Sequence, residues 1–440
     1  MNRAVKIKLS VMMFLEFAIW GAWLPLIFGY LIELNFDTIQ KALVMNAFAI
    51  ASIAAMFFSN QFVDRNFSAE KFLAFSHLVG GLAILALPWV SDFWTFFGLM
   101  LLHCVFYVPT ISITNSITFT HVEDAQKEFS QVRLWGTIGW IVVGMPFIFM
   151  FLDWTKMPVF GETPFVDWLG ALLGSTKVGD VTIKTGLQPD DLHAAKSFIF
   201  IFAGVASLLL AGYSLLLPHT PPKPAAHAED KVAWLESIKL LRHPFILVLF
   251  LVTFIDSVVH TGYFIYADSY LRSVGIQQNW IMPVMTIGQF AEIGTMAMLG
   301  FCLKALGWRN IMVLGILGHT ARFGLFALAP MPWVAISVNV LHGICYAFFF
   351  ATVYIFVDEF FPKDARTSAQ GLFNLQILGM GPLVGYFLWP HLMSDFTTGS
   401  GDQAKVDFSN LLLIPAGVAL VAAVLLFLFF WPPRKSTEHG

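Results

Sequence analysis

The sequence predicts an all-α membrane protein: twelve transmembrane helices arranged as two six-helix bundles. Three observations carry this. The first is composition. Of 440 residues, 58% are apolar and only 12% are charged, half the roughly 25% charged residues of an ordinary globular protein. So few charges cannot cover the surface of a water-soluble chain of this size. The second is a mean hydropathy of +0.74, with 46 Phe and 14 Trp. The third is pattern. The apolar residues fall in long continuous runs, not in the ten-residue alternations of a membrane β-barrel.

The same numbers exclude other classes. Cys104, Cys302 and Cys345 are too few and too far apart for a disulfide scaffold. A net charge of −3 gives no basic footprint for nucleic acid. Disorder requires low hydrophobicity.

A spanning helix needs roughly 20 mostly apolar residues. In chain order such runs lie at about 9–31, 42–62, 71–90, 94–119, 131–152, 196–217, 244–268, 281–304, 309–329, 332–357, 370–390 and 408–431. The first follows Arg3, Lys6 and Lys8 and has no evident Ala-x-Ala cleavage site, so it reads as an uncleaved helix. Between spans 5 and 6 lies an insert, 153–195, with Trp154, Pro164, Gly186 and Pro189, to which the sequence assigns no chemistry. The largest break, 218–243, opens with Leu217-Pro218-His219-Thr220-Pro221-Pro222. It divides the chain into an N-terminal bundle (1–217), a linker (218–243) and a C-terminal bundle (244–440). Within the linker, Trp234 to Leu241 reads either as a short amphipathic surface helix or as an ordinary linker helix.

Loop charges orient the chain, because cytoplasmic loops carry the excess of Lys and Arg. Sixteen of the 25 lie on the side of the termini, seven lie on the other side, and Arg133 and Arg322 fall inside spans. Both termini are therefore expected in the cytoplasm. Six plus six helices around a central cytoplasmic loop is the layout of a major facilitator transporter, in which two bundles rock about a midplane site. Corresponding loops of the two halves carry Asp64 and Arg65 after span 2, and Lys304 and Arg309 after span 8. Such residues can latch helix ends, although positive loop charge alone also accounts for them.

A charge at the bilayer centre costs about 2.5–3.5 kcal/mol on insertion scales, so each ionisable residue within a span is a functional candidate. Glu16 in span 1 reads equally as a proton site or as a structural partner of a cation. Arg133, Thr137 and Trp140 of span 5 fall on one helix face. There the Arg offers fixed donors to an oxygen-rich solute and the Trp a stacking surface; Arg133 also reads as a helix-end anchor. Gly136 and Gly139 permit close packing.

In span 7, Asp256, His260 and Tyr263 share one stripe. His titrates near neutral pH in water, and Asp256 can tune it or pair structurally with Arg322. In span 8, Gln289 and Glu292 are three apart on one face. Apolar surroundings favour the neutral form of a carboxyl, so Glu292 is the leading candidate to carry a proton. An interhelical hydrogen bond is the alternative for this pair. Arg322 in span 9 reads as structural. His342 and Tyr346 of span 10 lie four apart.

No Walker sequence, His-Glu-x-x-His or nucleophile elbow is present, so the chain is not expected to be an enzyme. No cofactor or metal is expected. With no ATPase sequence, active transport must draw on an ion gradient, and the buried acids and histidines favour protons.

Several strings resemble a known family. They are Phe17-Ala18-Ile19-Trp20-Gly21-Ala22-Trp23, Tyr107-Val108-Pro109-Thr110 with Asn115, Arg133-Leu134-Trp135-Gly136-Thr137-Ile138-Gly139, Leu217-Pro218-His219, Gln289-Phe290-Ala291-Glu292 and Arg366-Thr367-Ser368-Ala369-Gln370-Gly371. In this order and spacing the chain resembles the nucleoside:proton symporters of the major facilitator superfamily, the bacterial nucleoside permeases, over all but the insert. The resemblance implies nucleoside uptake driven by protons through alternating access. It also implies a bacterial inner-membrane location and a monomer whose partners are the solute, protons and the lipid bilayer.

It further implies that Arg133, Thr137, Trp140, Gln289, Glu292, His342 and Tyr346 line the solute site. His260 and Tyr263 stand where well-studied members carry an amide pair. Those members have an acid after the span 10 tyrosine; this chain has Ala347. Glu292, Asp256, His260 and Glu16 are the candidates for its proton role. Transport of a sugar or sugar derivative, or a transporter-like sensor, are the other functional readings.

Overall fold

Hydrocarbon offers the backbone no water to bond with, so the apolar runs close their hydrogen bonds internally as helices. In the computed structural model this holds for every run. The structure describes residues 2–122, 125–178, 181–187, 189–222, 240–361, 366–399 and 404–432. Among the described residues, eleven helical stretches are long and apolar enough to cross a membrane: Arg3–Glu33, Thr38–Ala55, Ala69–Trp89, Phe93–His121, Glu128–Met150, Leu192–Ser214, Pro244–Ser273, Gln278–Leu328, Pro332–Phe360, Ala369–Asp395 and Phe408–Phe429. Gln278–Leu328 holds two spans. Its 51 residues are interrupted at Gly307, whose φ of 76° is open to glycine and costly for other residues. Counted so, spans 1 to 12 follow in the expected order.

Prolines and local chemistry explain the irregularities. Span 1 breaks after Trp23 and resumes at Ile27, where Pro25 removes a backbone donor. Span 5 breaks at Gly144 and resumes at Phe147, after Pro146. Spans 10 and 11 each contain a wider π turn, Tyr346–Ala351 and Leu375–Met380. Such insertions often sit at functional sites, and both of these border the central cavity. Tryptophans stand exposed near helix ends at Trp89, Trp94, Trp154, Trp333 and Trp431, as in the aromatic belts of membrane proteins.

Within the N-terminal bundle span 1 packs on spans 5 and 6, span 2 on span 4, and span 3 on spans 4 and 6; in the C-terminal bundle span 7 packs on spans 11 and 12, and span 8 on span 10. A Cβ on Gly139 would run into the Phe14 backbone, and one on Gly343 into the Glu292 backbone. These glycines let spans 1 and 5, and spans 8 and 10, touch main chain to main chain. The Leu217-Pro218-His219 string ties the end of span 6 to the start of span 3. There Glu70 accepts from the Thr220 N–H at 3.0 Å and bonds His219 Nδ1 at 2.8 Å.

At the far end, opposite the face where span 1 starts, the strands among the described residues are those of the insert and a two-residue hairpin of Thr397–Thr398 with Lys405–Val406. The insert comprises a helix Phe165–Leu173, a hairpin of Ser175–Val178 with Val181–Lys184, and a helix Pro189–Lys196. It docks on the other bundle. Asn279 Nδ2 and Trp280 Nε1 donate to the Leu172 carbonyl at 3.2 and 3.1 Å, and Gln277 Nε2 donates to that of Gly174. Beside it Lys196, fully buried, reaches Glu33 at 2.6 Å and Asp268 of span 7 at 3.5 Å. At the near face the picture differs. The side chains of Asp64 and Arg65, and residues 223–239 with most of the Trp234–Leu241 segment, lie outside the described residues. Arg309 stacks over Trp431 at 3.9 Å, so this half of the supposed latch grips the end of span 12.

Candidate functional site

Between the two bundles lies a cavity of about 510 Å³, within the roughly 300–1,000 Å³ of sites that enclose small organic ligands. Its N-terminal wall comes from spans 1, 2, 4 and 5, and its C-terminal wall from spans 7, 8, 10 and 11. The lining runs from Leu24 and Phe264 near mid-membrane towards Tyr354, Gly371 and Asn374 at the near face. The far end is spanned by the insert and by Lys196.

Arg133 lies at the start of span 5 with its guanidinium 3.8 Å above the Phe17 ring, a cation–π seat that fixes its direction. Gly136 makes room for it, since a Cβ there would meet both Phe17 and the guanidinium. Arg133 therefore faces the cavity and is not a lipid-snorkelling anchor. Thr137 follows one turn along. Trp140 meets Trp20 edge-on at 5.4 Å, and Trp20 stacks on Phe48 at 4.8 Å. Together these three form an aromatic shelf with room for a planar ring.

From the opposite wall, span 8 presents Gln289 and Glu292, both half-buried, and Glu292 lies within electrostatic reach of Arg133 across the cavity. Tyr346, at the start of a π turn, His260 and His342 complete this wall. Eight of the nine expected solute-site residues thus line one cavity. Tyr263 does not. It is 2% exposed, donates its hydroxyl to Asn339 Oδ1 at 2.6 Å, and packs behind His342 and under Arg322.

The remaining candidates are interior. Glu16 is fully buried in the N-terminal bundle. Its carboxylate meets His77 Nε2 at 2.9 Å and accepts from the Thr110 hydroxyl at 2.7 Å, while its carbonyl accepts from Tyr107. His77 passes to Ser207 at 3.0 Å. Asp256 is fully buried in the C-terminal bundle, 3.7 Å from His319, and does not reach the cavity.

Sequence reasoning passed over Trp20, Phe48, Ser52, Asn115, Tyr354 and Asn374 as lining residues, and His77 and His319 as partners of the buried acids. Trp20 and Asn115 already stood in the quoted strings. Ser52 and Asn374 carry no charge, so a search for costly buried charges does not find them.

A profile of the family described as "Nucleoside H+ symporter" matches residues 2–160 and 187–435, leaving out most of the insert. The chain is 32% identical over 433 residues to the putative nucleoside transporter YegT of Escherichia coli, covering 96% of this chain and 93% of that one. It is 26% identical to the xanthosine permease of the same organism, covering 97% and 96%. The crystal structure of nucleoside transporter NupG superposes with a TM-score of 0.78 at 21% identity, covering 98% of this chain and 100% of that one. A D-xylose-proton symporter gives 0.65 at 12% identity, covering 97% and 98%. These two likenesses show the shared two-bundle major facilitator fold. By profile and by relatedness along nearly its whole length, this membrane transporter belongs to the nucleoside H+ symporter family.

Proposed function

We propose that the protein takes up nucleosides with protons by alternating access, in a bacterial inner membrane with both termini in the cytoplasm. The observation that carries this is the composition of the two cavity walls. An aromatic shelf of Trp20, Trp140 and Phe48 faces Gln289, Glu292 and Tyr346, with Arg133 at its edge. A nucleoside has one flat heteroaromatic face and a ribose rich in hydroxyls. The shelf suits the base by stacking. Gln289 offers a donor and an acceptor to a base edge. Arg133 and Glu292 offer, respectively, donors and acceptors to hydroxyls. Because these two charges sit on opposite bundles, a solute that bonds both draws the bundles together.

The far end is closed by Lys196 between Glu33 and Asp268 and by the docked insert, while the lining extends to the near face. This supports an inward-facing state, from which rocking about the cavity opens the far end.

Uptake of labelled uridine, adenosine and xanthosine into proteoliposomes under an imposed pH gradient tests the reading, with D-xylose as the sugar control. Accumulation of a nucleoside above that in protein-free vesicles is expected. Accumulation of the sugar alone would replace the nucleoside as solute. Glu292→Gln and Arg133→Gln are expected to lower uptake at least tenfold, the effect of losing about 1.4 kcal/mol of binding.

A further inference from the structure

A polar cluster of the C-terminal bundle lies behind the cavity wall, and of its members only His342 lines the cavity. Asp256 of span 7 is fully buried and neither of its carboxyl oxygens has a hydrogen-bond partner. The Nε2 of His319 of span 9 lies 3.7 Å away, beyond hydrogen-bonding distance. Arg322, one turn further along span 9 and also fully buried, spends its two terminal nitrogens on imidazoles. One is 2.7 Å from His342 Nδ1 and the other 2.9 Å from His319 Nδ1. Its Nε is unpaired. His342 belongs to the cavity wall.

The chemistry of these contacts fixes the protons. A guanidinium only donates, so each Nδ1 must accept, and each ring carries its hydrogen on Nε2. Both histidines are then neutral, and neither can take a proton at Nδ1 while it holds Arg322. His319 turns its Nε2–H towards Asp256. The other ionisable groups around Asp256 and Arg322, among the described residues, are His260 and Tyr263 on span 7 and Cys345 with His342 on span 10. Only Arg322 among them is a permanent cation, and its two terminal nitrogens are committed elsewhere. A carboxylate left in this position would be a buried charge with no hydrogen bond, the costliest state for a polar group. The observed arrangement fits Asp256 as a neutral carboxylic acid.

We propose that Asp256 is the group that binds the coupling proton, and that Arg322 transmits its protonation state to His342 on the cavity wall. This rests on the reading of the chain as a proton-coupled symporter. The exchange is simple. A proton from cavity water, passed by His260 on the wall one helical turn away, bonds an Asp256 oxygen, and the cluster changes from neutral to a net single positive charge. With the acid neutral, Arg322 is free to hold His342, as observed. When the proton leaves, the carboxylate attracts the guanidinium, and His319 has only to close a 3.7 Å gap. Arg322 then loosens from His342, and the wall facing the solute changes shape. The His342 ring packs 5.0 Å from that of Tyr263, and Gly288 keeps the space beside it free of a side chain, since a Cβ there would come within 2.8 Å of the His342 Cβ. Solute affinity and proton occupancy are thereby linked in both directions.

The test separates exchange from gradient-driven accumulation in the same proteoliposomes. Exchange of labelled for unlabelled uridine at equal pH requires solute binding and rocking but no net proton movement. Asp256→Asn is expected to keep exchange within about threefold of the unmodified protein and to lose accumulation. Glu292→Gln is expected to lose both. Full accumulation by Asp256→Asn, or its loss in Glu292→Gln with exchange intact, would overturn the proposal. Should Asp256→Asn not be recovered folded, His319→Gln retains an acceptor for Arg322 and a donor for Asp256. It is expected to exchange normally with a displaced pH profile of accumulation, and an unchanged profile would overturn the proposal.

A solute-independent measurement guards against a wrong solute. In infrared difference spectra taken across a pH titration, a protonated-carboxyl band is expected that His319→Gln shifts and Asp256→Asn removes. A spectrum indifferent to both variants would count against Asp256. If no nucleoside exchanges while the band behaves as expected, the solute reading fails and the proton site stands.

Discussion

Glu16 and Asp256 occupy corresponding places, each fully buried near the middle of the first helix of its bundle. Their surroundings differ. Glu16 is tied to His77 and Thr110, and His77 in turn to Ser207, so its carboxylate is held at 2.9 and 2.7 Å. Asp256 has no hydrogen bond, and the cation nearest to it is spent on two histidines. A satisfied buried carboxyl locks helices together, because moving it forfeits several bonds at once. An unsatisfied one is free to change state. The comparison shows why the burial of an acid does not by itself indicate its task. The N-terminal bundle uses its acid as a fastener, whereas the C-terminal bundle keeps its acid unfastened next to the cavity.

The largest effect expected from challenging this contrast comes from Arg322→Met. It leaves the Nδ1 atoms of His319 and His342 without their donor. Each buried acceptor left without its donor costs about 1–3 kcal/mol, so the thermal unfolding midpoint in detergent should fall clearly. An unfolding midpoint equal to that of the unmodified protein would mean that the cluster contributes nothing to the bundle.

Next in size is Lys196→Met, which tests whether the two bundles part at the far end. It removes the ammonium shared by Glu33 and Asp268, though Arg272 keeps its 2.8 Å contact with Asp268. An impermeant thiol reagent added outside should modify a cysteine placed at Thr261 about tenfold faster, the equivalent of ~1.4 kcal/mol. No acceleration would remove Lys196 from the gate.

Glu16→Gln is milder. The amide keeps the shape of the side chain but leaves one acceptor oxygen where there were two, for a loss of about 1 kcal/mol, and accumulation of solute should be unchanged. Loss of accumulation without loss of folding would erase the distinction between the two acids.

The smallest effects are expected where a carboxylate of each bundle caps a helix outside the membrane. The Thr95 backbone N–H and hydroxyl hold Asp92 below the usual carboxylate range, and the Asn410 side chain and N–H do the same for Asp407. A lowered value means that the stabilisation is present above the ordinary carboxylate range and disappears as pH falls through the lowered one. Asp92→Ala and Asp407→Ala should therefore lower the unfolding midpoint slightly at neutral pH and not at all in strong acid. An equal shift at both pH values would show that the caps act through packing.

Much of the architecture was legible in the sequence because a bilayer leaves few options. Apolar length sets span number, and a central break sets the division into two bundles. The helical face shared by Arg133, Thr137 and Trp140, and the pair Gln289 and Glu292, were visible for a similar reason. Spacing along a helix determines a common face before any helix packs. Tyr263 shows the limit of that argument. It shares the stripe of His260, yet Arg322 and His342 from neighbouring spans cover it. His77 and His319 show the converse, since each joins its acid from another helix at a sequence separation of 61 and 63 residues. The insert was opaque for the same reason, since its partners lie about a hundred residues further on, at the start of span 8.

The sequence by itself determined that this chain is a twelve-span helical bundle pair with a handful of ionisable groups in its interior, because the cost of exposing backbone and charge to hydrocarbon is local and readable residue by residue. Only the tertiary structure decided which of those groups face the cavity, which are fastened and which are left without partners. Hydrogen bonding between helices depends on how bundles rotate and cross, and glycines such as Gly139 and Gly343 set those crossings through contacts that span spacing does not encode.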